Sequence, residues 1–271
     1  MTPFLGLSSD TWGGAILGAI LGAIVIPLSL AGIKRLAKWR RETVPAVKVL
    51  GTIADNDEIC TIFVRDLYLK EGSKVLAVEP GRGIGEIPNV QELWSDVEGR
   101  GITYVFNALG QVGKRHNISI IPMSQDPGIW NTNIIVMGAQ AQKCFDFYVR
   151  LQGVMYSMNA NNIFDKETGA VVEREDGYGY GIILKARNPY KAGGVPGIGL
   201  LIGGYGTLGT AAAAYYFRER LEDLGKRFGA HCFGVVVRAS ITAGEQSVER
   251  LSQYDKVETV VRDKTSTRLH A

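Results

Sequence analysis

Residues 197–204, GIGLLIGG, run directly into YGTLGT at 205–210 and then AAAAYYFRERLEDL at 211–224. An unbroken apolar run of eight residues reads as a strand buried on both faces, and the pattern from 207 to 226 reads as a helix. A glycine-rich turn joins them. Gly203, Gly204 and Gly206 let main chain pass close to a partner, Thr207 and Thr210 offer hydroxyls, and Tyr205 sits between. The first-turn amides of the helix carry the positive end of its dipole, so the group that suits this turn is a phosphate. A tight structural turn with no ligand is the alternative reading.

Outward from this turn, strand-length apolar runs alternate with helical patterns. KVLAVEP (74–80), ISIIP (118–122), NIIVMG (133–138) and HCFGVVVRAS (231–240) read as strands, with helical periodicity in 89–115 and 141–151. Residues 154–187 read as antiparallel ribbon, because turn signals stand at 166–169 and 175–177. Residues 46–73 are expected to add a strand and a helix. Strands alternating with helices predict an α/β chain with a Rossmann-like three-layer sandwich, a mostly parallel sheet and an antiparallel ribbon insertion. Ligands of such sheets bind beyond the carboxyl ends of the strands.

Three further strand ends are therefore candidates. Pro80–Gly85 resembles a phosphate loop, with Gly81 and Gly83 around the cation Arg82, entering a helix near Asn89; it equally reads as an ordinary loop. At Gly138, the turn to the next helix permits close approach, with Gln140 or Gln142 placed to read a base or ribose. Asn188, before Pro189 and Tyr190, is expected at the pocket rim. Among carboxylates, Glu79, Asp126 and Glu98 lie nearest to predicted strand ends or loops; Glu79 and Asp126 are the weak catalytic candidates. Cys144 reads as apolar filler within its helix. No metal site is predicted, because three cysteines and three histidines show no ligand spacing.

The 271 residues carry 46% hydrophobic and 21% charged residues and a net charge of +3, which excludes disorder. The charge is uneven: residues 34–48 hold a net +5, leaving −2 for the rest. Basic residues in one short block do not make a nucleic-acid-binding face, so no nucleic-acid partner is expected. Before this block, 23 residues between Asp10 and Lys34 are uncharged. As a helix they reach about 34 Å, enough to span a bilayer. A signal peptide, cut near Ser29-Leu30-Ala31, and a buried core helix are the alternatives. KRLAKWRR follows the span and no basic residue precedes it, so the N-terminus is expected outside and the rest in the cytosol. Gly14, Gly18 and Gly22 form a smooth stripe that favours self-association of the helix. The expected organisation is a tail at 1–11, a transmembrane helix at 12–33 in the inner membrane, a basic linker at 34–45, the nucleotide-binding domain at 46–255 and a charged tail at 256–271.

GGYGTL looks like the core of the PGGxGTxxE signature of the lonely-guy phosphoribohydrolases and the wider SLOG group of Rossmann-like nucleotide-binding domains. Gly203, Gly204, Gly206 and Thr207 match, Ile202 stands where the family has proline, and Thr210 stands where it has the catalytic glutamate. The resemblance therefore implies a cradle for a nucleotide phosphate and supplies no counterpart of the hydrolytic carboxylate. A SLOG-like domain behind a transmembrane helix is also similar in organisation to membrane effectors of bacterial nucleotide-signalling and antiviral defence systems. The function this implies is a membrane-anchored sensor whose nucleotide or NAD-derived ligand controls oligomerisation of the helix, possessing no other cofactor and leaning away from enzyme activity. A membrane-tethered N-glycosidase or phosphoribohydrolase using Glu79 or Asp126, and a ligand-free membrane scaffold, are the alternatives.

Overall fold

A computed structural model of the chain describes residues 41–64, 75–79, 83–87, 96–123, 130–138, 142–159 and 162–258. The chain divides into two compact units, Met1–Val44 and Pro45–Ala271. In the first, residues 41–44 are described and are helical. The expected span at 12–33, with Gly14, Gly18 and Gly22, lies outside the described residues. Among the described residues, no helix is long and apolar enough to cross a membrane.

The second unit is α/β. Its eight-stranded mixed sheet joins β1 (Cys60–Val64), β4 (Ile118–Pro122), β5 (Asn133–Met137), β8 (Tyr178–Asn188), β9 (Gly197–Gly204), β10 (Phe233–Ser240), β11 (Glu249–Arg250) and β12 (Lys256–Val257). In the order β4-β1-β5-β9 the strands are parallel; β8 then runs antiparallel to both β9 and β10, and β11 and β12 pair antiparallel with β10. Two small antiparallel hairpins stand apart from it, β2 (Val75–Glu79) with β3 (Gly83–Ile87), and β6 (Tyr156–Met158) with β7 (Ile163–Asp165).

Side chains of each central strand alternate between two buried cores, as the pleat requires. Ile62, Ile135, Met137, Leu200, Ile202, Ile183, Val235 and Val237 face one core, whereas Phe63, Ile134, Val136, Leu201, Ile182, Leu184 and Val236 face the other. Among the described residues, four helices feed the first core: residues 45–50 of α1 (41–50), α2 (Asp96–Gln111), α4 (Gly206–Glu219) and α5 (Leu221–Phe228). Residues of α3 (Gln142–Arg150) and of the β6–β7 hairpin line the second. Burial on both faces is why these strands are continuous apolar runs.

Four expectations change. The run 74–80 is not a strand of the main sheet, because β2 pairs with the alternating GIGEI of β3 instead. Of the predicted ribbon, the β6–β7 part is antiparallel ribbon as expected, but β8 is built into the sheet between β9 and β10. The helix over 207–226 is two helices, broken at Arg220 (φ −116°, ψ 18°). That break lets Leu221, Leu224 and Phe228 turn into the first core, and it seats Gly225 against α1, where an added Cβ would lie 2.0 Å from the Pro45 carbonyl oxygen. The sheet also extends past 255, since Lys256 and Val257 form β12.

Lys185 is a buried cation in mid-strand. Its ammonium donates to the carbonyls of Lys48 (2.8 Å) and Ala230 (3.1 Å), and burial pushes its pKa down to about 8. All three cysteines, Cys60, Cys144 and Cys232, are free and buried. Burial raises the Cys60 thiol to about 12 and the Cys232 thiol to about 11.

Candidate functional site

Strand β9 ends at Gly204 and helix α4 begins at Gly206, at the carboxyl ends of the parallel strands. The residue between them, Tyr205, is extended (φ −72°, ψ 122°), and its amide donates to the Tyr180 carbonyl at 2.8 Å. The first i to i−4 bond of the helix runs from the Gly209 amide to the Tyr205 carbonyl at 3.2 Å. The amides of Gly206, Thr207 and Leu208 thus precede the ladder. Tyr205, the N-cap residue, makes no side-chain cap bond to them. Gly206 is exposed, has φ +59°, and among the described residues has no heavy atom within 4 Å of where a Cβ would stand. This end of α4 therefore presents amides and dipole outward.

The glycines of the turn divide between two tasks. A Cβ on Gly204 would lie 2.2 Å from the Gly209 carbonyl carbon, and one on Gly209 would lie 2.1 Å from the Tyr180 carbonyl oxygen. On β8, a Cβ on Gly181 would lie 2.4 Å from the Gly209 oxygen. Gly204, Gly209 and Gly181 are needed where the first turn of α4 presses on the sheet, whereas Gly206 faces open space. Gly203 is buried and pairs with Ile182. Thr207 is half-buried, while Thr210 is buried and its hydroxyl returns to the Gly206 carbonyl at 3.4 Å.

Gly138 lies beside this turn. It follows β5 with φ +101°, and its amide donates to the Ile202 carbonyl at 2.9 Å. Asn188 does not join them. Because β8 runs antiparallel, Asn188 pairs with Gly197 at the far end of β9, about 23 Å of strand from Gly204. There it is fully buried and bonded, donating to the carbonyls of Trp130 (2.7 Å) and Thr132 (2.8 Å) and accepting from the Tyr190 amide (3.1 Å). Its role is to tie the ends of two strands, so its expected place at the rim is corrected. Gly83 opens β3 of the separate hairpin rather than a strand-to-helix turn, and Glu79 closes β2 opposite it. Glu98 lies within the first turn of α2, not in a loop or at a strand end. Gly81, Arg82, Asp126 and Gln140 lie outside the described residues.

Several groups at this end were not singled out from sequence. On α3, Tyr148 stands one turn after Cys144, whose thiol donates to the Gly138 carbonyl at 2.9 Å. The hydroxyls of Tyr148 and Tyr205 are buried and have no hydrogen-bond partner among the described residues. Burial pushes Tyr148 well above the ordinary phenol range, reinforced by Cys144 and Tyr205 nearby, and raises Tyr205 to about 12. Arg174, from the loop before β8, lies over the Tyr205 ring at 4.2 Å. Lys143, buried at the start of α3, lies over the rings of Phe63 (4.3 Å) and Trp130 (4.6 Å). In sequence Tyr148 reads only as one more apolar position of an amphipathic helix, and Arg174 as one charge in a polar loop.

The chain matches no protein-family model and no curated protein sequence.

A cleft of about 620 Å³ lies elsewhere, lined by Gly153, Val154, Met155, Lys166, Glu167 and residues 255–258. It flanks the start of β10, where Gly234 pairs with Lys256, and so belongs to the edge opposite Gly204. Its cations are engaged in the fold: Lys166 donates to the Tyr148 carbonyl at 2.8 Å, and Lys256 pairs with Asp165 and with Glu167. Size notwithstanding, the uncapped first-turn amides of α4 and the orphan Tyr205 hydroxyl single out the Gly204 edge.

Proposed function

We propose that this protein is a membrane-anchored sensor whose cytosolic α/β domain binds a phosphate-bearing, nucleotide-derived ligand at the N-terminus of α4. The observation that carries this reading is the open first turn of that helix, where Gly206 is exposed and no side chain of the N-cap residue closes the amides. Those amides and the helix dipole favour an anion. Arg174, stacked on Tyr205, supplies a nearby cation, and Gly138 leaves room on the side of β5. Similarity of the turn to the SLOG phosphate cradle points the same way.

Under this reading, ligand binding favours one arrangement of a homo-oligomer whose helices, residues 12–33, pack through Gly14, Gly18 and Gly22 in the inner membrane. Only a difference in ligand affinity between two arrangements drives such a change. Disruption of the membrane in antiviral defence is the output that this organisation resembles. No specific observation favours the hydrolase reading, since Glu79 ends a strand of the separate hairpin.

Calorimetric titration of the full-length chain with NAD, ADP-ribose and cyclic dinucleotides tests the proposal. Saturable binding of one of them is expected, and Arg174→Ala should weaken it by roughly ten-fold, the scale of one charge-assisted hydrogen bond. Folded protein that binds none of these compounds would remove the sensor reading.

A further inference from the structure

The α3 side of the turn holds two buried hydroxyls in one neighbourhood. Tyr205 follows β9 directly, β5 is the parallel neighbour of β9, and the turn after β5 is bonded through Gly138 to Cys144, one helical turn from Tyr148. Both phenols belong to the same buried core, and among the described residues each hydroxyl is without a partner. Proteins satisfy nearly all buried polar atoms, and a hydroxyl left alone there is disfavoured against the phenyl ring of the same shape. Two orphans in one core, one of them on the residue that leads into the open helix end, mark a place where a further acceptor belongs.

We infer that Tyr148 and Tyr205 form a subsite that donates two hydrogen bonds to an uncharged oxygen acceptor, of the kind a sugar or base carries, on the ligand held at the α4 N-terminus. This rests on the phosphate reading of that helix end. The acceptor is uncharged because both phenols are held protonated by burial, and two neutral donors do not offset the cost of burying an anion. Tyr205 thereby links the two halves of the site, with its main chain leading into the phosphate turn and its hydroxyl reaching the core beside α3.

The test compares ADP-ribose with inorganic pyrophosphate as probes, using full-length wild type, Tyr148→Phe and Tyr205→Phe. Each variant keeps the ring and removes one oxygen. The expected result is roughly ten-fold weaker binding of ADP-ribose by each variant, with pyrophosphate binding unchanged and thermal stability unchanged or higher. Undiminished ADP-ribose binding by both variants, with pyrophosphate still bound, would overturn the subsite and leave the phosphate reading standing. Equal loss of both probes would show the tyrosines acting only through the turn, which also overturns it. So would a clear fall in melting temperature, because the hydroxyls would then be bonded within the unliganded protein. Failure of wild type to bind either probe would overturn subsite and phosphate reading together.

Discussion

Gly204→Ala should destabilise the fold by about 3 kcal/mol or more, at the upper end of overpacking costs, while Gly206→Ala should cost only about 1–2 kcal/mol. The two positions are near neighbours in the chain, yet their surroundings differ completely. A Cβ at position 204 would fall 2.2 Å from the carbonyl carbon of Gly209 and 2.6 Å from the Thr210 nitrogen. Those atoms are backbone, so relief requires moving α4. The helix is pinned, since Ala211, Ala212, Ala213, Ala214 and Phe217 are all fully buried beyond that turn. At Gly206 a Cβ meets nothing, and the cost is the left-handed φ of +59° alone. Urea unfolding of the two full-length variants measures the difference. Equal stabilities would show that Gly204 does not hold helix and sheet together. Ligand binding lost in a Gly204 variant, including Gly204→Asp, therefore reports a displaced helix, so substitutions at Gly206 are the ones that probe the proposed anion site.

Raising the pH from 7 to 10.5 should stabilise wild type, relative to Lys185→Met, by on the order of 3 kcal/mol. The pKa of Lys185 falls from 10.5 to about 8 on folding. Below pH 8 both folded and unfolded chains hold the proton, and the cost of burying the charge is fully present. Between about 8 and 10.5 the unfolded chain binds a proton that the folded chain has released, so stability rises with pH across that window. Deprotonation loses no bond, because a neutral amine keeps two N–H donors for the two carbonyls of Lys48 and Ala230. Cys60 and Cys232 oppose this trend. Their thiols ionise from about pH 9 in the unfolded chain and stay protonated when folded, so they lower stability above pH 9. The comparison with Lys185→Met cancels that background. Parallel stability curves for the two proteins between pH 7 and 10.5 would refute the assignment.

The strands at 133–137, 197–204 and 233–240 were legible because burial on both faces writes a largely apolar run into the chain, whereas 118–122, an edge strand with Ser119 and Ile120 exposed, was legible from its isoleucines alone. Direction and partner are not written there. KVLAVEP has the composition of a central strand, yet among the described residues β2 pairs with β3 alone. Tyr178-Gly179-Tyr180-Gly181 reads as ribbon because a turn signal stands just before it at 175–177, but Gly179 and Gly181 are small to admit Leu208, Gly209 and Ala213 of α4. Without the antiparallel course of β8, Asn188 could not be assigned to the opposite edge. The 203–210 turn was legible, since glycine placement and strand-to-helix context are local. Tyr148 and Arg174 were not, because their meaning arises from long-range folding: Tyr148 shares a buried core with Tyr205, and Arg174 lies over the Tyr205 ring.

The burial of all three cysteines has a practical use. Thiolate is the form that alkylating reagents attack, and the raised pKa values of Cys60 and Cys232 keep it scarce near neutral pH. A cysteine introduced at the exposed Val149 on α3 would then be a lone maleimide handle on the otherwise native chain. Under the proposed sensor reading, a spin label or fluorophore there would report whether subunits associate and whether an added nucleotide changes their spacing.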